Sequence, residues 1–338
     1  MRGLKWLFGA LILLLIIGAG YQFVGMVLDR VHYPPPGQMV DVGGHRLHLY
    51  CMGKGSPTVV QEAAAPGWSL YWSLVQPEVA RVTRVCAYDR AGLGWSERGP
   101  VPRTGQQLAR ELHRLLDRGG VPGPYILVGH SLGGFVARLY RQEHPKEVVG
   151  MVLVDAGHES ELRQAEFRTF VNAGKSMLPL IRTMTILGIP RLFASLDNLP
   201  PFLSLQEEKV PGKIRPMLRA GWLRTGYLKT VTGEGEALVE TLEQVRHTSS
   251  LGDLPLIVLT ATGPVWWPDM PGTVNPVKFR RMWLDLQQDL TKLSSNSRQV
   301  FADQSSHFIQ FDQPALVIEA IRQTIETTRQ STHPPPRR

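Results

Sequence analysis

From residue 38 onward, short apolar runs alternate with longer amphipathic stretches. The strand-like runs are Val40–Val42, Arg46–Tyr50, Thr58–Gln61, Val82–Tyr88, Tyr125–Val128, Val148–Val154, Pro255–Thr260 and Gln299–Ala302. The run from Met151 to Val154 is apolar without interruption, which is typical of a strand buried on both faces. Strands that alternate with helices predict a mostly parallel sheet covered by helices on both faces.

Two helices outside the middle of the chain are predicted from their periodicity. One runs from Thr104, a suitable N-cap, to Gly119, and the other runs from about Pro314 to Thr328. The first helix presents a single apolar face that is formed by Leu108, Leu112, Leu115 and Leu116. Apolar residues at this spacing indicate a helix that packs one side against a core.

The N-terminal segment has a different pattern, because no charged residue occurs from Trp6 to Leu28. A helix of this length spans about 34 Å, enough to cross a bilayer core of about 30 Å. Residues 6–28 are therefore predicted to be a transmembrane anchor. Arg2 and Lys5 predict that residues 1–5 are cytoplasmic and that the remaining chain is extracytoplasmic. A cleaved signal peptide is the alternative, since Gly18 to Gly20 are small, but the apolar stretch is longer than a typical signal core.

Both flanks of the folded region have a biased composition. Residues 29–37 contain the run Tyr33-Pro-Pro-Pro-Gly37 and predict a stiff linker. Residues 329–338 end in prolines and arginines and predict a disordered basic tail.

Composition and charge exclude several classes of protein. The net charge is +8, but the basic residues are scattered, which indicates a basic solvated surface rather than a nucleic-acid-binding site. The two cysteines, Cys51 and Cys86, are too few for a disulfide scaffold or a Cys-x-x-Cys metal site. No histidine, cysteine or carboxylate cluster shows metal-ligand spacing, and no cofactor is expected.

The strongest chemical signal is the run Gly129-His-Ser-Leu-Gly133, which follows an apolar strand and precedes a segment of helical period. A serine between two glycines at this place predicts a nucleophile elbow, a strained strand-to-helix turn that exposes the hydroxyl of Ser131. The flanking residues must be small because the turn brings their backbones close to the neighbouring strand and helix.

These residues resemble the α/β-hydrolase family, and within it bacterial serine hydrolases of the esterase or lipase type. The matching segments are Cys86 to Ser96, Pro124 to Gly134 and Gly150 to Asp155. The resemblance implies an eight-stranded, mostly parallel sheet, with a helical cap inserted between strands six and seven. It divides the chain into a first core part, 38–157, a cap, 158–250, and a second core part, 251–328.

The resemblance also implies a Ser-Asp-His chain order for a catalytic triad. His307 lies in the polar loop after the last strand, where this family places its base. His130, within the elbow, and His158, just past strand six, are expected to be structural. The acid remains open: Asp155 ends strand six, whereas Asp269 follows strand seven by about nine residues. Further alternatives are Glu159 and Asp303.

Two backbone N–H groups are expected to form the oxyanion hole. One belongs to Leu132, the residue after the nucleophile. The other belongs to Ala65 or Ala64 in the loop after strand three, because Pro66 has no N–H. In the fold that the chain resembles, the strands carrying Cys51 and Cys86 are neighbours, so either a disulfide or two buried thiols is expected.

The predicted activity is hydrolysis of carboxylic esters through an acyl-enzyme, as in a carboxylesterase. A serine at the elbow argues against haloalkane dehalogenase and epoxide hydrolase chemistry, since both use an aspartate there. A serine peptidase or amidase uses the same triad and is the first alternative. The second is a non-catalytic binding module on the same scaffold.

Overall fold

A single eight-stranded sheet organises the molecule in this computed structural model, which describes residues 2–65, 67–198, 207–264 and 270–332. In chain order the strands are β1 Gln38–Asp41, β2 Arg46–Met52, β3 Thr58–Glu62, β4 Val85–Tyr88, β5 Tyr125–His130, β6 Val148–Val154, β7 Leu256–Ala261 and β8 Ser297–Ala302. Their order in the sheet is β1-β2-β4-β3-β5-β6-β7-β8. β2 is antiparallel to both β1 and β4, and the remaining pairs are parallel.

The central strands are buried along their whole length, as their apolar runs predict. One prediction is wrong by three residues: β4 begins at Val85 rather than Val82. The N–H of Val82 donates to the carbonyl of Val79, and the hydroxyl of Thr83 donates to Pro57, so these residues complete a turn instead of a strand.

Helices cover both faces of the sheet, as predicted. On one face lie α3 (Gly105–Arg118) and α4 (Leu132–Glu143); on the other lie α2 (Gln76–Val79), α10 (Pro276–Leu290) and α12 (Pro314–Thr332). α3 begins as its sequence predicts, because the hydroxyl of Thr104 accepts a hydrogen bond from the N–H of Gln107. A one-turn helix, α11 (Ile309–Asp312), precedes α12.

The segment between β6 and β7 is helical. It contains α5 (Ala165–Ile186), α6 (Ile189–Ser195), α7 (Arg215–Trp222), α8 (Thr225–Glu236) and α9 (Leu238–Arg246), preceded by a 3-10 turn at Glu161–Arg163. We refer to residues 158–250 as the cap segment. Its described helices lie between strands six and seven.

The N-terminal helix α1 runs from Arg2 to His32 and is longer than the predicted span of 6–28. Within the part of the chain that the structure describes, one helix, Gly3–His32, is long and apolar enough to cross a membrane, with a mean hydropathy of 2.3 over an 18-residue window. The predicted linker is thereby shortened to the residues after His32. It is also attached to the core, because the indole N–H of Trp95 donates to the carbonyl of Tyr33 over 2.8 Å.

The chain ends differ from expectation in one further respect. α12 continues to Thr332, four residues past its predicted end, and the guanidinium of Arg329 donates to the carbonyl of Ser56. Residues 329–332 are therefore helical rather than part of a disordered tail, and 333–338 lie outside the described residues.

Cys51 and Cys86 form a disulfide. They face each other across the antiparallel pair of β2 and β4, with their Cα atoms 4.0 Å apart. This settles the choice between a disulfide and two thiols that the sequence leaves open, and it ties the antiparallel part of the sheet to the strand that leads into Asp89.

Candidate active site

Ser131 lies in a sharp turn between β5 and α4. Its backbone has φ 53° and ψ −119°, a region that non-glycine residues rarely occupy. Such a conformation persists only where the surroundings hold it. Here the N–H of Ser131 donates to Val154 over 3.2 Å, and its carbonyl accepts from Gly134 and Gly157 over 3.0 Å each. The turn is thus fixed from both β6 and α4.

The glycines that flank Ser131 are required by close backbone packing. A Cβ at Gly129 would lie 2.5 Å from the carbonyl oxygen of Gly133, and a Cβ at Gly133 would lie 2.5 Å from that of Glu62. Both distances are shorter than side chains tolerate. The predicted steric reason for the Gly-x-Ser-x-Gly pattern is confirmed.

Asp155 and His307, 152 residues apart in sequence, meet beside the elbow. Nδ1 of His307 lies 2.7 Å from Oδ2 of Asp155, and both side chains are buried. Asp155 directly follows β6 and has φ 40°, a second strained position next to the first. His307 is in the loop between β8 and α11, as the sequence predicts.

The other oxygen of Asp155 is held in place by two donors. Oδ1 accepts the N–H of Ala261 over 2.9 Å and the indole N–H of Trp283 over 3.0 Å. These two hydrogen bonds hold the carboxylate in place beside the imidazole of His307. In the neutral tautomer that donates from Nδ1 to Asp155, Nε2 carries the free lone pair.

His130 packs behind His307 and does not share its role. Its Nε2 lies 2.9 Å from the carbonyl of His307, its Nδ1 lies 3.0 Å from the amide nitrogen of Gln310, and the two imidazole rings are 4.7 Å apart. Since the Gln310 amide nitrogen can only donate, His130 carries its proton on Nε2. Burial, and then the neighbouring His307, lower the pKa of His130 well below its usual range, so it is a neutral support for the His307 loop.

The remaining candidates from the sequence lie elsewhere. His158 contacts Asp289 at 3.1 Å, and Glu159 is paired with Arg138 at 2.6 Å. Asp303 is exposed. Asp269 lies outside the described residues.

The loop after β3 is organised by the buried guanidinium of Arg90. It donates to three consecutive carbonyls, those of Ala63 at 2.7 Å, Ala64 at 2.7 Å and Ala65 at 3.0 Å. In a trans peptide the C=O of one residue and the N–H of the next point in opposite directions. The N–H groups of Ala64 and Ala65 therefore point away from Arg90. Glu62, the last residue of β3, contacts the elbow at Gly133.

Arg90 is neutralised by two buried carboxylates. Glu62 accepts a hydrogen bond from it, and Glu234 of α8 accepts from its Nε at 2.8 Å. Burial raises the pKa of Glu62 to about 7. This net increase remains even though the nearby charge of Arg90 acts in the opposite direction and lowers the pKa. This cluster connects the cap segment to the loop after β3 through one side chain.

Comparison with known proteins gives the family. The sequence model described as the alpha/beta hydrolase fold matches residues 57–244, more than half of the chain. The chain belongs to the α/β-hydrolase family. An AB hydrolase superfamily protein of Gibberella zeae is 26% identical over 81% of this chain and 87% of its own length. An uncharacterized protein of Schizosaccharomyces pombe is 27% identical over 73% of this chain, which spans 51% of that relative.

The solved structure of a thermophilic esterase from Thermogutta terrifontis shares the fold. It superposes with a TM-score of 0.62 at 18% identity, covering 86% of this chain and 98% of its own. The predicted architecture, an eight-stranded mostly parallel sheet with helices on both faces, is confirmed for this α/β hydrolase.

An aromatic cluster of this α/β hydrolase joins the cap segment to the site. Trp222 and Tyr227 of the cap each pack edge-on against Trp68, and Trp222 donates to the hydroxyl of Tyr71. Tyr71 in turn contacts Phe308, the residue after His307. The aromatic side chains next to His307 thus come partly from the cap segment.

A histidine and glutamate group on the opposite side of the domain is not suited to a metal ion. His113, His144 and Glu147 lie close together, but the two imidazole rings are stacked 3.7 Å apart at an interplanar angle of 4°. A metal ion must lie in the plane of each ring that ligates it, and two parallel planes share no such point. The cluster is a stacked surface pair.

Three residues of the site were not identified from the sequence: Arg90, Trp283 and Glu234. Trp283 occupies the buried face of α10, where periodicity alone indicates core packing. Arg90 follows Asp89 within the segment Cys86 to Ser96, which contributed only to the family resemblance. Arg90 could have been identified because it is a charged residue just after a buried strand. Burial of an unpaired arginine there would cost free energy, so carboxylate partners are expected.

Proposed function

We propose that this protein hydrolyses carboxylic esters through a Ser131–His307–Asp155 triad and an acyl-enzyme intermediate. The observation that carries the proposal is the 2.7 Å contact between His307 Nδ1 and Asp155 Oδ2 next to a serine held at φ 53°. A serine needs a base to become a nucleophile at neutral pH, and the base needs an orienting acid. The three groups supply these roles in the order Ser, Asp, His.

In this mechanism, Oγ of Ser131 attacks the ester carbonyl carbon and its proton moves to Nε2 of His307. The oxyanion that forms is stabilised by the N–H groups of Leu132 and Ala65. Collapse expels the alcohol, which takes the proton from His307. Water then attacks the acyl-enzyme with the same base, and Ser131 is released. Asp155 remains charged throughout and stabilises the imidazolium.

The apolar surroundings support an apolar acyl group as substrate. Trp68, Tyr71 and Phe308 lie beside the loops that carry the oxyanion-hole donors and the base. The cap segment adds Trp222 and Tyr227 to these aromatic side chains. An alkyl or aryl ester gains from burial against such a surface, at about 25 cal/mol per Å² of apolar area.

Labelling with a fluorophosphonate probe tests the nucleophile. We expect the purified full chain to be labelled at Ser131 and Ser131→Ala to be unlabelled and inactive towards p-nitrophenyl esters, because only the hydroxyl is removed. Ser249→Ala, which alters an exposed serine, is the matched control and should react like the unmodified protein. Full labelling of folded Ser131→Ala would refute the assignment. Turnover of a matched ester and amide pair decides between esterase and amidase.

We also infer that α1 anchors the protein in a membrane with residues 1–5 cytoplasmic and the hydrolase domain outside. Arg2 and Lys5 precede the apolar stretch, and residues 3–17 of α1 are exposed on all sides. Protease added to intact cells should digest the domain while α1 stays uncleaved. A domain protected from protease would reverse the orientation, and a mature N-terminus near Tyr21 would replace the anchor by a signal peptide.

A further inference from the structure

The C-terminal half of α1 docks on the cap segment instead of leaving the fold freely. A Cβ at Gly18 would lie 2.6 Å from the carbonyl oxygen of Leu187, so the two backbones touch at the junction between α5 and α6. Tyr21 lies against Gly188 in the same junction. Small residues at a contact between apolar helices allow this close approach in membranes.

Polar contacts fix the same interface. The amide nitrogen of Gln22 donates to the carbonyl of Leu223 over 2.6 Å, and the guanidinium of Arg191 donates to the amide oxygen of Gln22 over 3.0 Å. Arg191 also forms an ion pair with Asp29 at 2.8 Å. Gln22 is almost fully buried. The polar groups of this contact therefore satisfy one another, as a low-dielectric environment demands.

The position of the contact along α1 sets its depth. Gly18 precedes Leu28, the end of the apolar stretch, by ten residues, or about 15 Å of helix. If the bilayer core instead begins at Gly3, a thickness of about 30 Å ends near Gln22, still about 6 Å beyond Gly18. The two placements put the α5–α6 junction between about 6 Å and about 15 Å below the outer edge of the core, that is, between the outer leaflet and the bilayer midplane.

Large apolar side chains are exposed where this junction faces away from the protein. Leu192 is 52% exposed, Phe193 45% and Leu196 69%, and on α5 Leu180 and Ile186 are exposed as well. The chain bends by 73° between α5 and α6. Together the two helices are long and apolar enough, by length and composition, to form a bent membrane-spanning or re-entrant segment. Arg182 is exposed on α5, and its long side chain can extend to the lipid headgroups.

The backbone at the junction is also compatible with lipid. The N–H of Leu187 donates to Thr183, that of Gly188 to Thr185, and the carbonyl of Gly188 accepts from Leu192. A chain reversal within a bilayer must satisfy its own backbone groups in this way.

We propose that the α5–α6 junction is a second membrane-contacting surface, which enters the outer leaflet beside α1 and places this part of the cap segment in the lipid. The partner is a lipid bilayer, because this apolar surface is continuous with α1. The inference rests on the membrane anchor proposed above and extends it from a tether to part of the cap.

Site-specific labelling of the full chain in phosphatidylcholine vesicles tests the proposal. The two cysteines present are joined in a disulfide, so one added cysteine carries one fluorophore. Leu192→Cys and Phe193→Cys report on the junction, and Ile16→Cys reports on the exposed half of α1. Val239→Cys and Val277→Cys are matched controls, because both valines are exposed on helices away from α1.

Fluorophores at 192 and 193 should be quenched severalfold more by nitroxide-labelled lipids than those at 239 and 277, and less by iodide in solution. Retained hydrolysis of a soluble short-chain ester shows that each variant is folded. Labels at 192 and 193 that behave like the controls, with a lipid-quenched label at 16, would overturn the inference and leave the anchor intact. Aqueous behaviour of all labels would overturn both.

Discussion

Replacing Asp155 and replacing Asp269 should have different effects on kcat, because among the described residues Asp155 is the carboxylate that contacts His307, the proposed base. Asp155 contacts Nδ1 of His307 and holds its tautomer. Loss of such a carboxylate to its amide costs on the order of 10⁴ in rate. We expect Asp155→Asn to lower kcat by several orders of magnitude, and Asp269→Asn, measured in parallel, to change kcat less than tenfold. The reverse ranking would make Asp269 the acid.

Arg90 is a positioning residue for the loop that carries Ala65. Lysine keeps the charge but lacks the planar fork that reaches three carbonyls and two carboxylates at once. Loss of one oxyanion-hole donor costs about 10²–10³ in kcat. We expect Arg90→Lys to lower kcat by up to about this factor with little change in KM, because ground-state binding of the ester does not require the hole.

The control for Arg90→Lys is Arg103→Lys. Arg103 is also buried and is paired with Glu111 at 2.7 Å, away from the loop after β3 that carries Ala65. If both variants lose stability alike and neither changes kcat by more than about twofold, Arg90 is structural only.

Among the secondary-structure elements, the 3-10 turn Glu161–Arg163 at the start of the cap segment responds to pH. Burial raises the pKa of Glu161 from 4.5 to about 8. The folded protein thus binds this proton more tightly than the unfolded chain does, and the resulting stabilisation is lost as the pH rises through about 8.

We expect the Tm of the unmodified protein to fall between about pH 5 and pH 9, and the fall to be smaller in Glu161→Gln, which cannot ionise. Glu326→Gln, at an exposed position of α12, is the comparison. Equal slopes for all three proteins would show that Glu161 does not titrate in this range.

The strands were predictable because parallel strands buried on both faces need continuous apolar runs, and Tyr125–Val128 and Met151–Val154 show this directly. Val82 misled the prediction of β4 because a partly buried apolar residue in a turn has the same local appearance as one in a strand. The elbow was predictable because its steric requirements fall on neighbouring residues, Gly129 and Gly133.

Contacts between distant residues left no local signal. Arg90 and Glu234 are 144 residues apart, and Gln22 and Leu223 are 201 apart. The partners of a buried charge depend on how the elements pack. For the same reason, the sequence indicated an anchor and a cap but not that the two contact each other.

For the molecule as a whole, α1 docks on the cap segment, and in the proposed membrane-anchored state this contact would set the height of the candidate active site above the bilayer. A tethered domain could sample solution, whereas a docked one meets mainly molecules that diffuse in the membrane surface. Its rate should then follow the mole fraction of ester in the surface rather than the bulk concentration. Vesicles can be prepared with the same total amount of ester but increasing amounts of inert phosphatidylcholine, so that only the mole fraction of ester in the bilayer falls. We expect the rate per enzyme to fall in proportion to this mole fraction. A constant rate would indicate that the substrate arrives from solution.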